Sequence, residues 1–387
     1  MTTYDFIIVG GGATGCALAL MLAPLNKKVL LIEAQAQKQQ ADAAHFDERA
    51  IALSFGSQRI FERLGVWSTL SADAMPIAHI HVSDRGHFGH ALLHAEDMTV
   101  PALGQVIPLR VLNSVLYQRV VATKAATILA PANVTGYQHE HDAISVAIEH
   151  DGATQTRRSS ALLAADGTQS PLRQQAGIPA QIDHYEQTAL ITNVVSDGAD
   201  YSYAYERFTE SGPLALLPLS HQRWSLVWSL QHAQAEQLLH CSDKEFLQKL
   251  QQAFGWRVGQ FSRVGARQRF GLQRIVSAWR HQGRLLLLGN AAQQVHPIAG
   301  QGFNLALRDA EALAQALQEQ DWSAEFVQQF LQTREADQQQ VSNRTDGLVR
   351  LFSNQYAVLS QLRGLALDAI QLSVPLRTEL ARRAMGV

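Results

Sequence analysis

Two short apolar runs open the chain, Tyr4–Val9 and KVLLIE at Lys28–Glu33, with a glycine loop and an apolar stretch, Ala13–Leu25, between them. Buried strands flanking a helix-length segment within about thirty residues predict a strand–helix–strand unit and a parallel sheet. Further along, the pattern predicts helices around Phe55–Leu64 and Leu112–Thr123, the latter introduced by Gln105–Arg110. Ile144–Glu149 and Ala161–Ala165 read as strands. From 183 to 230 strand-like segments alternate with turn residues every eight to twelve positions, the pattern of an antiparallel sheet. Asp243–Phe254 is amphipathic at helical spacing, Leu285–Leu288 returns to a fully buried strand, and Gly302–Gln318 predicts a helix. That helix gathers Leu305, Ala306, Ala310, Leu313, Ala314 and Leu317 on one face and places Arg308, Asp309 and Glu311 on others. No internal repeat occurs, and QAQKQQADAA at 35–44 reads as a surface loop.

Length and composition narrow the class. A chain of 387 residues exceeds the size at which one core stops growing, so two domains or a large insertion are expected. A net charge of −2 supplies no basic footprint for nucleic acid. Cys16 falls in the predicted buried first helix, so it and Cys241 read as unpaired thiols of a reducing compartment. The first strand begins too early for a secretory leader, and no apolar run reaches the length of a membrane span. A cytoplasmic protein is expected.

Gly10-Gly11-Gly12-Ala13-Thr14-Gly15 fits G-x-G-x-x-G between a strand and a helix. Gly10 permits the tight turn, Gly12 lets backbone approach a pyrophosphate, and Gly15 allows close helix–sheet packing. The helix start offers unpaired N–H groups to phosphates. Glu33 ends the second strand, placed to accept from ribose hydroxyls, and its charge disfavours a 2′-phosphate. FAD or NAD fits better than NADP. The late stretch GNAAQQVHPIAGQGFNLALRD, 289–309, adds a second glycine-rich turn and helix start. A second grip suits the longer cofactor, and a helix N-terminus suits a reduced flavin that is anionic around N1 and C2. The fold expected is α/β: a Rossmann-like FAD-binding domain, an inserted antiparallel β-sheet cap domain that holds substrate, and a C-terminal helical tail. The FAD-binding domain is discontinuous over 1–73, 102–180 and 271–345; the cap takes 74–101 and 181–270, and the helical segment 346–387.

These motifs, with DERAIAL (47–53) and AADGTQS (164–170), resemble the flavin-dependent aromatic hydroxylases of the para-hydroxybenzoate hydroxylase type. HVSDRGHFG (81–89), GPLALLPLS (212–220) and AFGWRVG (253–259) look closest to the ubiquinone-biosynthesis monooxygenases, and the likeness runs from about residue 4 to about 355. The resemblance implies that Gly10, Gly12, Gly15 and Glu33 hold the ADP half of FAD. It places Arg49 near the pyrophosphate and ribityl side, Gln105 and Asn290 on the ribityl chain, and Asp166 with Gly167 in a motif linked to FAD and the pyridine nucleotide. Pro297, Gly300, Gly302, Phe303 and Asn304 are implied at the isoalloxazine ring, with Pro297 and Gly302 nearest the flavin. Most of the superfamily has Gly-Asp where this chain has Gly289-Asn290; asparagine keeps an acceptor but lacks the charge.

The implied reaction inserts one atom of O2 into a polyprenylated methoxyphenol through a flavin C4a-hydroperoxide, with NAD(P)H as transient electron donor. The flavin carries the chemistry, so no side-chain nucleophile is assigned. A base for the phenol is expected, with Tyr203, Tyr205 and His221 as unranked candidates. Leu214, Leu216, Pro218 and Trp228 are expected to line a dry cap. Two rival functions stay open: a sister hydroxylase acting on another ring carbon, and a catalytically silent flavin-binding component of a biosynthetic complex.

His79, His81, His87, His90 and His94 match no standard ligand spacing and read as surface or turn residues, so no metal is expected. His296 reads as shaping the turn before Pro297 rather than as an acid, and Arg85 as a turn residue. The apolar tail from Gly347 is expected to pack on its own FAD domain or a sister subunit. A polyprenylated substrate also implies a contact with the quinone-biosynthesis complex, or a peripheral one at the inner membrane face.

Overall fold

The computed structural model describes residues 2–36, 46, 48–198, 200–295, 300–352 and 357–386. The first strand, Thr3–Val9, pairs in parallel with Val29–Ile32 on one side and with the end of Ala153–Ala164 on the other. Thr127–Leu129 extends the sheet beyond Val29–Ile32, and Leu285–Leu287 extends it beyond Ala153–Ala164. Its strands are apolar on both faces because both are covered. Ile8 and Leu31 face a core shared with helices Ala13–Leu22, Leu109–Thr123 and Gln301–Glu319. Ile7 and Leu30 face Ile144, Val146 and Ile148 of an antiparallel pair that covers the opposite side.

Element edges moved where local chemistry dictates. The first helix ends at Leu22, and Pro24 sits in a 3-10 turn, Ala23–Leu25, that replaces its last predicted turn. The strand expected at Ala161 begins at Ala153, since its first half pairs with Ile144–His150. The loop expected at 35–44 lies outside the described residues from 37 onward.

The second sheet is built around Ala180–Ser196, antiparallel to Arg223–Gln231 and to Gln268–Ser277. Gly212–Leu219 and Tyr203–Thr209 continue it, and the hairpin His79–Asp84/His90–His94 completes that edge by a parallel pairing with Tyr203–Thr209. Side chains alternate between faces. One face, carrying Leu214, Leu216, Trp224 and Trp228, packs beneath helices His232–His240 and Asp243–Phe254. On the other, Ala204, Leu217 and Leu219 meet a three-stranded sheet of Ala50–Ser54, Gly104–Pro108 and Met75–Ile77.

Two further corrections concern the C-terminal third. Asp309 is not on a polar face but 4% exposed, its carboxylate accepting from Arg334 Nε at 2.7 Å and Gln338 Nε2 at 2.8 Å. Both partners lie on Ala324–Phe352, a long helix that buries what a lone helix would expose. The tail helices Ala357–Leu372 and Val374–Met385 pack chiefly on the 79–94 hairpin: Leu92 N–H donates to Gln371 Oε1 at 2.7 Å, and Ala381 and Met385 join Leu93, Ala95 and Leu103. No helix among the described residues is long and apolar enough to cross a membrane.

Candidate functional site

The glycine loop is shaped by contacts that exclude side chains. Gly10 has φ +108° and donates to Ile32 O at 2.8 Å; a Cβ there would overlap the Ala165 carbonyl. A Cβ on Gly15 would overlap the Gly10 carbonyl oxygen, so only glycine lets the helix sit this close to the strand. Gly12 is different: among the described residues a Cβ would meet nothing within 4 Å. Gly12 also caps the first helix with no side-chain acceptor, and no acid occupies the first turn. The helix N–H groups therefore face open space that an anion can enter. Glu33 accepts from Gly11 N–H at 2.6 Å and Gln35 N–H at 2.9 Å, which orients the carboxylate and leaves lone pairs for ribose hydroxyls. Beneath the loop the buried Cys16 thiol donates to Gly11 O at 3.2 Å, and burial pushes it up to about 12, an inert thiol.

The late segment lands beside this loop. Gly289, with φ +56°, stands between Thr14 of the first helix and Ala306 of the late helix; a Cβ would meet both at 3.4 Å. Asn290 follows in a short 3-10 turn and is exposed. Gly300, in the left-handed region, caps Gln301–Glu319 without a side-chain bond, and among the described residues only Val295 Cγ2 stands near a would-be Cβ on Gly302, at 3.5 Å. Phe303 turns its ring into the protein, stacked on Phe61 at 6.4 Å. Asn304 is 1% exposed, and its carboxamide is engaged by four protein groups between Ala52 and Gly300. These two side chains fix the start of the late helix, where Gly300 and Gly302 carry no side chain. Pro297 and His296 lie outside the described residues.

Asp166 accepts from Leu172 N–H through Oδ2 at 3.2 Å, while its buried Oδ1 has no hydrogen-bond partner among the described residues. Burial raises this carboxyl above its ordinary range, moderated by the Ser170 hydroxyl. Gly167, φ +86°, has open space where a Cβ would stand. Gln105 is buried and donates to Gln58 Oε1 at 3.2 Å; Arg49 is exposed, its guanidinium 5.6 Å from the Phe270 ring centre. An open Gly12, an uncapped helix start and an orphaned carboxylate oxygen fit a dinucleotide with ribose hydroxyls.

The cap face that meets this region is not the expected one. Leu214, Leu216 and Trp228 lie beneath the two covering helices. Tyr205 shares their face, packing on Trp224 and Phe254, and Tyr203 stacks on Tyr205 at 5.7 Å. His221 sits in an exposed turn. His81 is not a surface residue: it is 2% exposed on the same face, and burial with the nearby Arg257 charge lowers it to about 4. Among the described residues no group of three or more His, Cys, Asp or Glu is placed to hold a metal.

The opposite face holds a trough. Pairing register aligns Val82, Glu206, Ala215, Val227 and Ile191 in one row across five strands, and each is partly exposed. The next row on one side, Ala204, Leu217, Ser225 and Asn193, is closed down on the segment 46–54: Asn193 Nδ2 donates to Glu48 O at 2.8 Å. On the other side Phe208, Pro213, Ser229 and Ala189 are buried, with Phe208 against Leu367 and Ile370 of the tail. A partly exposed row between two sealed ones makes a shallow strip on this face, apolar except for Glu206. The signal was present in YAYERFT, where a lone Glu206 falls in step with Ala204 and Phe208, but alternation alone does not say which face is covered.

Fold and loop together define a dinucleotide-binding flavoprotein. Residues 3–345 match a family model described as FAD binding domain. Ubiquinone hydroxylase UbiL of Rhodospirillum rubrum is 33% identical over 389 residues, spanning 99% of this chain and 89% of that protein. The 3-demethoxyubiquinol 3-hydroxylase of Escherichia coli is 29% identical over 390 residues, spanning 99% and 98%. The solved p-nitrophenol 4-monooxygenase PnpA from Pseudomonas putida DLL-E4 shares the fold with a TM-score of 0.81 at 17% identity, over 99% of this chain and 98% of that one. The chain belongs to the FAD-binding domain family and, within it, to the ubiquinone-biosynthesis monooxygenases. Its cofactor is FAD.

Proposed function

We propose that this monooxygenase hydroxylates the ring of a polyprenylated methoxyphenol in ubiquinone biosynthesis, using O2 and a reduced pyridine nucleotide. The observation that carries this reading is the trough: an apolar floor on the cap, bordered by the strand Ala50–Ser54 whose Ala52 lies against Gly300. Bound FAD supplies the electrons and the activated oxygen. The chain's own residues orient and shield. Gly12 and the first helix take the pyrophosphate, Glu33 and Asp166 Oδ1 accept from hydroxyls, and Gly300 and Gly302 admit a flat ring. Val82, Ala215, Val227 and Ile191 exclude water from the reacting face. The names of the relatives support the substrate class, and the apolar trough suits a prenylated ring.

The test is NAD(P)H-dependent oxygen consumption by FAD-loaded protein, with and without a short-chain prenylated methoxyphenol, followed by mass analysis of the product. Stimulated consumption with a product one oxygen heavier supports the reading. Oxidation at another ring carbon assigns the sister hydroxylation instead. No stimulation by any such phenol identifies a silent flavin-binding component. Pelleting of the protein with lipid vesicles separately tests the peripheral membrane contact proposed for the tail.

A further inference from the structure

We propose that Glu206 is the group that accepts the phenolic proton of the bound ring, an assignment that rests on the hydroxylase reading above. Glu206 is the one ionisable side chain in the row that floors the trough, flanked by Val82 and Ala215 on the neighbouring strands. The other candidates for this task point elsewhere: Tyr205 lies beneath the cap helices, Tyr203 stacks on it, and His221 sits in an outer turn. Among the described residues no side-chain hydrogen bond or ion pair of the Glu206 carboxylate occurs, and burial alone accounts for its shift. The adjacent Arg207 points to the other face, donating to Ala253 O and Ser83 Oγ, each at 3.3 Å. Asp84 lies on the same face, in line with Phe208, and the helices Ala324–Phe352 and Ala357–Leu372 that pack on these strands count Arg344, Asp346, Arg350, Arg363 and Asp368 among their charged residues. Burial pushes the Glu206 carboxyl from its ordinary 4.5 up to about 7, the range in which a general base works near neutral pH.

In the step itself, the phenolic O–H bond breaks, the electron pair stays on the ring oxygen, and a new O–H bond forms on the carboxylate. The added charge makes the ring a better nucleophile toward electrophilic oxygen. The proton returns to solvent after turnover, so no further oxidant or reductant enters.

The experiment compares wild type, Glu206→Gln and Glu206→Asp as FAD-loaded holoenzymes, with flavin absorbance confirming equal cofactor content. Expected for Glu206→Gln is a fall in kcat of about a hundredfold with KM changed less than about threefold, the scale of lost general-base help. The rising limb of the wild-type kcat/KM profile near neutral pH should vanish in Glu206→Gln and persist in Glu206→Asp. A ring-fluorinated methoxyphenol, already ionised at the assay pH, should shrink the ratio of wild-type to Glu206→Gln rates at least about tenfold. A purely structural role would lower turnover of both substrates equally, and that result overturns the proposal. An unchanged pH limb in Glu206→Gln overturns it too. If wild type itself shows no phenol-stimulated turnover, the functional reading falls and this assignment falls with it.

Discussion

Asn304 Oδ1 accepts the backbone N–H of Ser54 at 2.9 Å although 250 positions separate the two residues. The same oxygen takes the Ser57 hydroxyl at 2.7 Å, while Nδ2 donates to Ala52 O at 3.0 Å and to Gly300 O at 2.9 Å. One side chain thus ties the late helix start to the strand beside the trough. Replacing it with alanine strands two buried and two part-buried polar groups, at about 1–3 kcal/mol for the least compensated of them. Asn304→Ala should melt several degrees below wild type even without FAD, and should bind FAD more weakly because Gly300 is released. An unchanged melting temperature would show that the staple is dispensable.

Gly15 and Gly12 should separate packing from binding. Gly15→Ala forces a Cβ onto the Gly10 carbonyl and should lower the stability of the FAD-free protein. Gly12→Ala fits the open loop, with no atom of the described residues within 4 Å, and should leave that stability unchanged. It should nonetheless weaken FAD binding by about tenfold or more, because the methyl occupies the pyrophosphate approach. Fluorescence titration with FAD distinguishes the two; equal affinity of Gly12→Ala and wild type would move the phosphates elsewhere.

The second grip makes a parallel prediction. Asn290 is exposed in its turn, so Asn290→Asp should keep FAD bound. Gly302→Val projects a branched side chain past Val295 into the face assigned to the flavin. That variant should fold and purify without the yellow absorbance; retained flavin would mean that the loop lies elsewhere.

Glu206 also links stability to pH. Its folded pKa, about 7, stands above the ordinary 4.5, so the folded state binds the proton more tightly than the unfolded chain. Wild type should therefore lose stability relative to Glu206→Gln as pH rises from about 4.5 to about 7, and hold a constant gap above that. Partial solvent access discounts the size to about 1–3 kcal/mol. Urea unfolding of both proteins at pH 5 and pH 8 measures it; a gap that does not widen toward pH 8 contradicts the raised carboxyl.

Much of the first domain was legible because its determinants are local. A tight turn, an open glycine and a helix start need only the residues from Gly10 to Gly15 and the strand that ends at Glu33. The helix at Asp243–Phe254 emerged with the same bounds, since its amphipathic pattern and its Ser242 cap are both sequence-near. Asp309 shows the limit: a charged residue beside an apolar stripe reads as solvated until Arg334 and Gln338 arrive from another helix.

The amino-acid sequence by itself determined the cofactor loop and the alternation that sets Tyr203 and Tyr205 against Ala204 and Glu206. It also determined the late return to a buried strand at Leu285. Only the tertiary structure decided which side of the cap sheet meets the helices and which meets the flavin-binding loop. Alternation is symmetric about the sheet, so either face could have been the covered one. The symmetry is broken by partners far away in the chain, helices 232–254 on one side and segment 46–54 with the tail on the other. That choice put Tyr205 beneath the cap helices and left Glu206 on the face toward segment 46–54 and the tail.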